Sequence, residues 1–472
     1  MKPAFPTIDA VTWVTAYVVV LYAIPSRLVV DALGSAGAPS MLFGLVSLAL
    51  WILLQLTTDG DPMALLEHRP VRRSLLILLA SVALTYIIAM SQPIEADEVS
   101  PADVALLALL SWSGTLLIAA DRIISMHRMT SLAHNLALAG ALMGALGLLQ
   151  FITGDVIIDR ISIPGLRSAE FTAFERGDFV RPSGTATHPI EFGVILAMLL
   201  PFALHTAFYG RRSQLFLRWL PVILLSGAVS LTLSRSAYVS AAAGLVVLMI
   251  GWPREKRRIF LFGGLAMGMV LFAAVPRLFG TISSLFRNVG NDPSIDSRTD
   301  SYAIAAQFIS RSPIFGHGLG TFLPKYRIFD NQYLLLLVSV GIVGAAAFIA
   351  LLLFGIYSGA KAHKFARSDQ ERDLALAVTA SISAGAVSLT TFDAFAFPMT
   401  MGTLFLVLGM AGALYRICVS DPRRVLEPAD PVDSRRIRPT RRRASTTDSR
   451  QNGRTKHGRR TVSSTSRRRF VR

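Results

Sequence analysis

Apolar and polar positions alternate along this chain in long blocks. Twelve apolar stretches, each near the length that crosses a bilayer as a helix, run from about residue 11 to residue 415. They predict helices over residues 10–24, 40–56, 73–91, 101–120, 131–153, 187–208, 217–234, 236–252, 259–275, 332–358, 373–392 and 397–416. In lipid every backbone polar group must be paired internally, so only helices or closed barrels span it. The expected class is therefore an all-α polytopic membrane protein of about 12 transmembrane helices. The first stretch is short, and Pro25-Ser26-Arg27 kinks or ends it. The seventh and eighth are separated only by Ser234-Arg235-Ser236, so they read either as two helices or as one broken helix. No basic n-region or small-residue cleavage site accompanies the first stretch, which reads as a retained span.

Two longer polar intervals, 154–186 and 276–331, interrupt the apolar blocks, and they divide the chain. Residues 1–130 form an N-terminal group of helices, residues 131–416 a second group carrying both loops, and residues 421–472 a tail. Alternate short connections are basic: Arg69, Arg72 and Arg73; Arg122 and Arg128; Arg211, Arg212 and Arg218; Arg254, Lys256, Arg257 and Arg258; Lys361, Lys364 and Arg367. The positive-inside rule sets these, and both termini, in the cytoplasm. Both polar loops then face outward, together with the acidic connection Glu95-Ala-Asp97-Glu98.

Composition supports the same class and narrows it. Apolar residues make up 52%, charged residues 16%, and mean hydropathy is +0.51, values that exclude an ordinary soluble enzyme. A single cysteine, Cys418, rules out an intrachain disulfide or thiolate metal site. From Asp421 onward there are 17 Lys/Arg against 5 Asp/Glu, so +12 of the formal +17 lies in the tail. Its Ser/Thr/Pro-rich, nearly apolar-free composition predicts disorder. Anionic lipid headgroups are the expected contact of a cytoplasmic basic segment beside a membrane, ahead of nucleic acid. No internal repeat is evident, and Glu191, Arg235 and Asp393 all fall at outer ends of spans, not at their centres. A transporter usually carries charge along a path through the midplane.

The outward polar residues form an ordered series. Arg181-Pro-Ser-Gly-Thr-Ala-Thr-His188-Pro-Ile-Glu191-Phe-Gly193 runs into the sixth span, and Leu-Ser-Arg235-Ser-Ala-Tyr238 turns between the seventh and eighth. The second loop holds Asp296-Ser-Arg298-Thr-Asp300-Ser-Tyr302, then Pro313-Ile-Phe-Gly316-His317-Gly318-Leu-Gly320, and closes on Asp330-Asn331-Gln332-Tyr333-Leu334 before Gly341-Ile-Val-Gly344. In order, spacing and common side, these motifs resemble the O-antigen ligase/polymerase superfamily over roughly residues 130–415.

The resemblance implies a membrane enzyme that moves a glycan from a polyprenyl diphosphate donor onto a hydroxyl of a glycan or lipid acceptor. Arginine suits that donor, because its planar fork of donors stays charged and matches phosphate oxygens. Arg181, Arg235 and Arg298 are the candidate diphosphate ligands, the last two also stabilising the departing charge. Many relatives carry His before Asn-x-Tyr-Leu, where this chain has Asp330. Asp330 reads as the proton acceptor, or equally as the cap of the helix beginning there. His188, Glu191, Asn331 and Tyr333 are supporting candidates, and Glu191 also reads as a helix-end carboxylate paired with an arginine. The stretch Tyr302, Ile304, Ala305, Phe308, Ile309 after Arg298 reads as an amphipathic helix lying along the interface. His317 and its flanking glycines read as turn residues. No cofactor and no metal ligand set is expected. Two other classes stay open: a flippase or transporter for lipid-linked glycan, which diphosphate-binding arginines would serve equally, and a non-catalytic subunit of a glycan assembly complex.

Overall fold

The computed structural model describes residues 9–57, 69–155, 161–168, 174–176, 179–210, 215–287 and 293–420, with backbone alone for 168, 176, 278–279, 284–287, 293–300 and 420. The predicted tail and Arg211 and Arg212 therefore lie outside the described residues. Each of the twelve apolar stretches is an α-helix: α1 (Ala10–Ala23), α2 (Pro39–Leu56), α3 (Pro70–Met90), α4 (Ala96–Arg122), α5 (Met126–Thr153), α6 (Pro189–Tyr209), α7 (Leu215–Leu231), α8 (Arg235–Gly251), α9 (Arg254–Ala274), α12 (Gln332–Phe365), α13 (Asp369–Ser388) and α14 (Pro398–Tyr415). Two more, α10 (Pro276–Arg287) and α11 (Pro293–Arg311), lie within the second polar interval. Among the described residues, strand is confined to two short antiparallel pairs, β1 (Leu28–Val30) with β2 (Leu166–Ser168), and β3 (Glu175–Arg176) with β4 (Phe179–Val180).

By length and apolarity, α2, α3, α4, α5, α6, α9, α12 and the helix through Pro398–Val419 qualify as membrane spans. The helices α1, α7 and α8 are apolar but shorter. At 1.5 Å per residue, 17 residues reach about 25 Å, just under a hydrocarbon core of about 30 Å.

Local chemistry sets the helix starts. Proline, which needs no amide partner and is preset for the first turn, opens α2, α3, α6 and α14. Side-chain caps come from Asp9, His188, Ser234, Asn331 and Ser368. The seventh and eighth stretches are two helices and not one broken one, because Ser234 caps α8 immediately after Leu233 takes a positive φ of 48°.

The break falls instead in α12. Gly341 has φ 65°, and the Pro313–Gly318 loop segment is mortised into the gap. His317 N and Gly318 N donate to Val338 O and Ser339 O, at 3.1 and 2.8 Å. Ile342 N and Val343 N donate to Pro313 O and Ile314 O, at 3.0 and 3.2 Å. A broken helix exposes amides and carbonyls that lipid cannot satisfy, and this loop satisfies four of them. A Cβ on Gly341 would overlap the Ile314 carbonyl, and one on Gly316 would overlap Ser339.

Around this, α6 and α14 occupy the centre. The helix α6 packs on α5, α7, α8 and α13, and α14 packs on α4, α12 and α13. The apolar face of α11 differs from the expectation of an interfacial helix. Ala305 is buried with Phe329 and Val338, and Ile304, Phe308 and Ile309 pack on that cluster, leaving Tyr302 exposed. That face is covered by the first turns of α12 and the 322–329 loop.

Candidate functional site

The segment 181–191 is the floor of one helix end. Arg181 donates from Nε to Thr232 O at 2.9 Å, and its backbone N donates to Phe174 O at 2.8 Å. Gly184 exchanges hydrogen bonds with the Gln150 side chain of α5, and Thr185 Oγ1 donates to Tyr22 O at 2.7 Å. A polar segment so enclosed must be fully paired to be stable, and these bonds do it. His188 follows as the cap of α6: Nδ1 accepts from Ile190 N at 3.0 Å, which places the proton of the neutral ring on Nε2. Its ring meets Phe174 edge-on at 4.2 Å and lies 6.1 Å from Phe397.

Glu191 has no exposure at all. Its Oε2 accepts from Thr187 N at 2.9 Å, and its Oε1 from Met399 N and Thr400 N at 2.9 and 3.4 Å. Backbone amides, not a guanidinium, are the partners here.

Arg235 is the first residue of α8 and is half-buried. The turn that delivers it contains Leu233, fully buried with a left-handed φ. A branched aliphatic residue is held there only when its surroundings over-determine it. Leu231 and Leu233 are covered by Leu148, Phe151, Phe179, Val275 and Ile282, the last belonging to α10. Through the Arg181 bond, the first polar loop and the Arg235 turn form one unit.

At the start of α12 the cap is Asn331, whose Oδ1 accepts from Tyr333 N and Leu334 N at 3.0 and 3.2 Å. The reading of Asp330 as that cap is therefore corrected, and Asp330 stands half-buried one residue outside the helix. Tyr333 donates its hydroxyl to Ala386 O at 2.8 Å, an anchor onto α13. Gln332, buried, donates its N to Leu389 O and accepts from Phe395 N through Oε1, both at 2.8 Å. These bonds lay residues 389–395 against the Asp330 segment. There Asp393 is half-buried, and burial, aided by the Asp330 carboxylate, pushes its carboxyl up to about 6. The sequence flagged Asp393 only as a span-end charge. Nothing local marks it as a partner of Asp330, 63 positions earlier.

The second loop is also latched sideways. Lys325 pairs with Glu95 and Asp97, at 2.5 and 2.8 Å, and Tyr326 donates to Glu98. The two carboxylates, Asp97 first, hold the Lys325 ammonium above its ordinary value. The acidic connection is thus a docking strip for this loop. Arg298 lies on α11 by its backbone, and its side chain lies outside the described residues. His317 bonds through Nε2 with Phe308 O at 3.0 Å, consistent with a turn residue.

The helices α6, α8, α12 and α14 consequently present their N-termini to one end of the bundle, tied by Arg181 to Thr232, Glu191 to Met399, and Gln332 to Phe395. Helix N-termini carry partial positive charge, which favours anions nearby, although His188, Ser234, Asn331 and Glu191 already hold first-turn amides here.

Comparison with known families is decisive for part of this region. Residues 220–349 match the O-antigen ligase family model. Over those residues the chain is similar to O-antigen ligases. That finding supports the O-antigen ligase/polymerase superfamily of membrane proteins, as the motifs suggested. The match includes Arg235, Arg298, Asp330 and the mortised break at Gly341, whereas Arg181, His188, Glu191 and Asp393 lie outside it. No curated protein matches the chain.

Proposed function

We propose that this O-antigen ligase-like protein transfers a glycan from a polyprenyl diphosphate to an acceptor hydroxyl at the outer face of the cytoplasmic membrane. The convergence of four helix N-termini around Arg181, Arg235 and Asp330 carries the reading. It supplies positive field where a diphosphate would sit, the arginines supply the donors, and carboxylates lie beside them.

In the proposed step the acceptor oxygen attacks the anomeric carbon and the bond from that carbon to the diphosphate oxygen breaks. The electron pair leaves with the polyprenyl diphosphate, and the hydroxyl proton passes to Asp330. Arg235 and Arg298 hold the diphosphate and stabilise the charge it gains. Arg181, with Nε bonded to Thr232 O, holds the Arg235 turn and adds its charge beside the diphosphate. Pre-aimed donors of this kind act through electrostatics without reorganisation during the reaction.

Reconstituted protein, given radiolabelled polyprenyl-diphosphate glycan and envelope lipids with and without EDTA, tests it. Label should move to a larger or acceptor-linked product, insensitive to EDTA and lost in Arg235→Ala. Label that stays on the polyprenol but changes leaflet would establish a flippase instead. An Asp393→Asn protein that reaches the membrane and transfers normally would remove the second carboxylate from the site.

A further inference from the structure

We infer that Glu191 is a positioning residue for the proposed transfer, a carboxyl that caps α14 from α6 and so fixes the His188 and Asp393 segments relative to each other. The inference rests on the transfer reading for its catalytic consequence and on geometry alone for the joint.

The start of α14 needs an outside acceptor. Phe397 occupies the cap position and provides no side-chain hydrogen bond, and Pro398 at the first turn has no amide. The next two amides, Met399 N and Thr400 N, are enclosed and would otherwise be orphaned. Glu191 Oε1 accepts both, at 2.9 and 3.4 Å. The partner oxygen accepts Thr187 N at 2.9 Å, the residue immediately before the α6 cap His188. One side chain therefore binds the entrances of two helices that are 208 positions apart in sequence.

What hangs from that joint is the chemistry of the site. On the α6 side is His188, whose ring lies 6.1 Å from Phe397. On the α14 side is the corner 393–397, which carries Asp393 and is stitched through Phe395 N to Gln332, two residues from Asp330. With both oxygens engaged by amides and no surface exposed, Glu191 does not touch an acceptor hydroxyl. It acts through the segments it holds.

The test is Glu191→Gln in the full chain in lipid nanodiscs. Glutamine keeps one accepting oxygen and sets an NH2 group against the remaining donor, so one side of the joint opens. The expected result is a kcat lower by about ten-fold or more with donor KM changed by less than about two-fold, as for loss of alignment rather than of binding. The acid limb of the pH profile should stay in place. Hydrogen exchange at Thr187, Met399 and Thr400 should quicken. Unchanged kcat and exchange would overturn the inference, as would loss of the acid limb from the residual activity, which marks a proton acceptor. Wild-type protein that transfers no glycan overturns the transfer reading, and faster exchange in E191Q then still upholds the joint. Should E191Q not fold, exchange in the wild type decides: fast exchange at those three amides overturns the joint, and slow exchange supports it.

Discussion

At the residue scale, the arginines divide by what their donors already hold. Arg181 is buried, with Nε fixed on the Thr232 carbonyl, so its replacement disturbs the turn that carries Arg235. Arg181→Ala leaves that buried carbonyl without its donor, at a cost of about 1–3 kcal/mol, measurable as a lower unfolding temperature in detergent. Arg235→Lys keeps charge but loses the planar fork, and kcat in the reconstituted transfer should fall by about 10–100-fold, since one preorganised donor can contribute that much. Asp393 sets a pH dependence. Its carboxyl is raised to about 6 from an ordinary 3.8, so below about 6 it is neutral and above it a second negative charge faces Asp330. Ionised, Asp393 is an acceptor-only group able to orient a substrate hydroxyl. Transfer should therefore rise through a limb with its midpoint near 6, absent in Asp393→Asn. For stability the sign is opposite: the folded state holds this proton more tightly, so Asp393's favourable contribution is complete below about 4 and lost as pH climbs through about 6.

At the element scale, the basic residues on which the proposed orientation rests prove to be partly enclosed. Asp373 of α13 accepts from His205 Nδ1 at 2.8 Å, Trp252 Nε1 at 2.9 Å and Lys256 Nζ at 2.5 Å, joining α6, α9 and α13 at the end opposite the site. Asp121 similarly holds Arg69, Arg72 and the Trp51 indole. Breaking a buried pair leaves an uncompensated charge, so Asp121→Ala, which strands Arg72 at 2% exposure, should cost about 3–5 kcal/mol, read by thermal unfolding. The mortised break makes a different prediction. Gly341→Ala combines a left-handed φ with overlap onto Ile314, so the Pro313–Gly320 loop must withdraw. Protease nicking near residue 313 should appear, with loss of transfer.

At the scale of the whole molecule, the proposed orientation places the Lys325 latch outside and the basic turns inside. In a Cys418→Ala background, a cysteine at exposed Ile328 should react with an impermeant maleimide in intact cells, and one at exposed Phe365 only after permeabilisation. The reverse pattern would turn the protein over and move the proposed chemistry to the cytoplasm.

The sequence determined the helices, because span length, proline at first turns and short polar caps are local signals. It also located the family-matched motifs, since Arg235 and Asp330 lie in contiguous runs. Residues such as Glu191 were visible but ambiguous: a carboxylate at a helix start has the same local signature whether it binds an arginine, a substrate or another helix. Only the tertiary structure decided that Glu191 serves α14, that Asn331 and not Asp330 caps α12, and that Asp393 stands beside Asp330. It also decided that the glycine-rich loop fills a broken helix. Each of these depends on partners at least tens of residues away or on which of two adjacent side chains turns inward. Hydrophobic period fixes where a helix lies but not which helix end it meets, and the pairing of buried polar groups supplies that second choice.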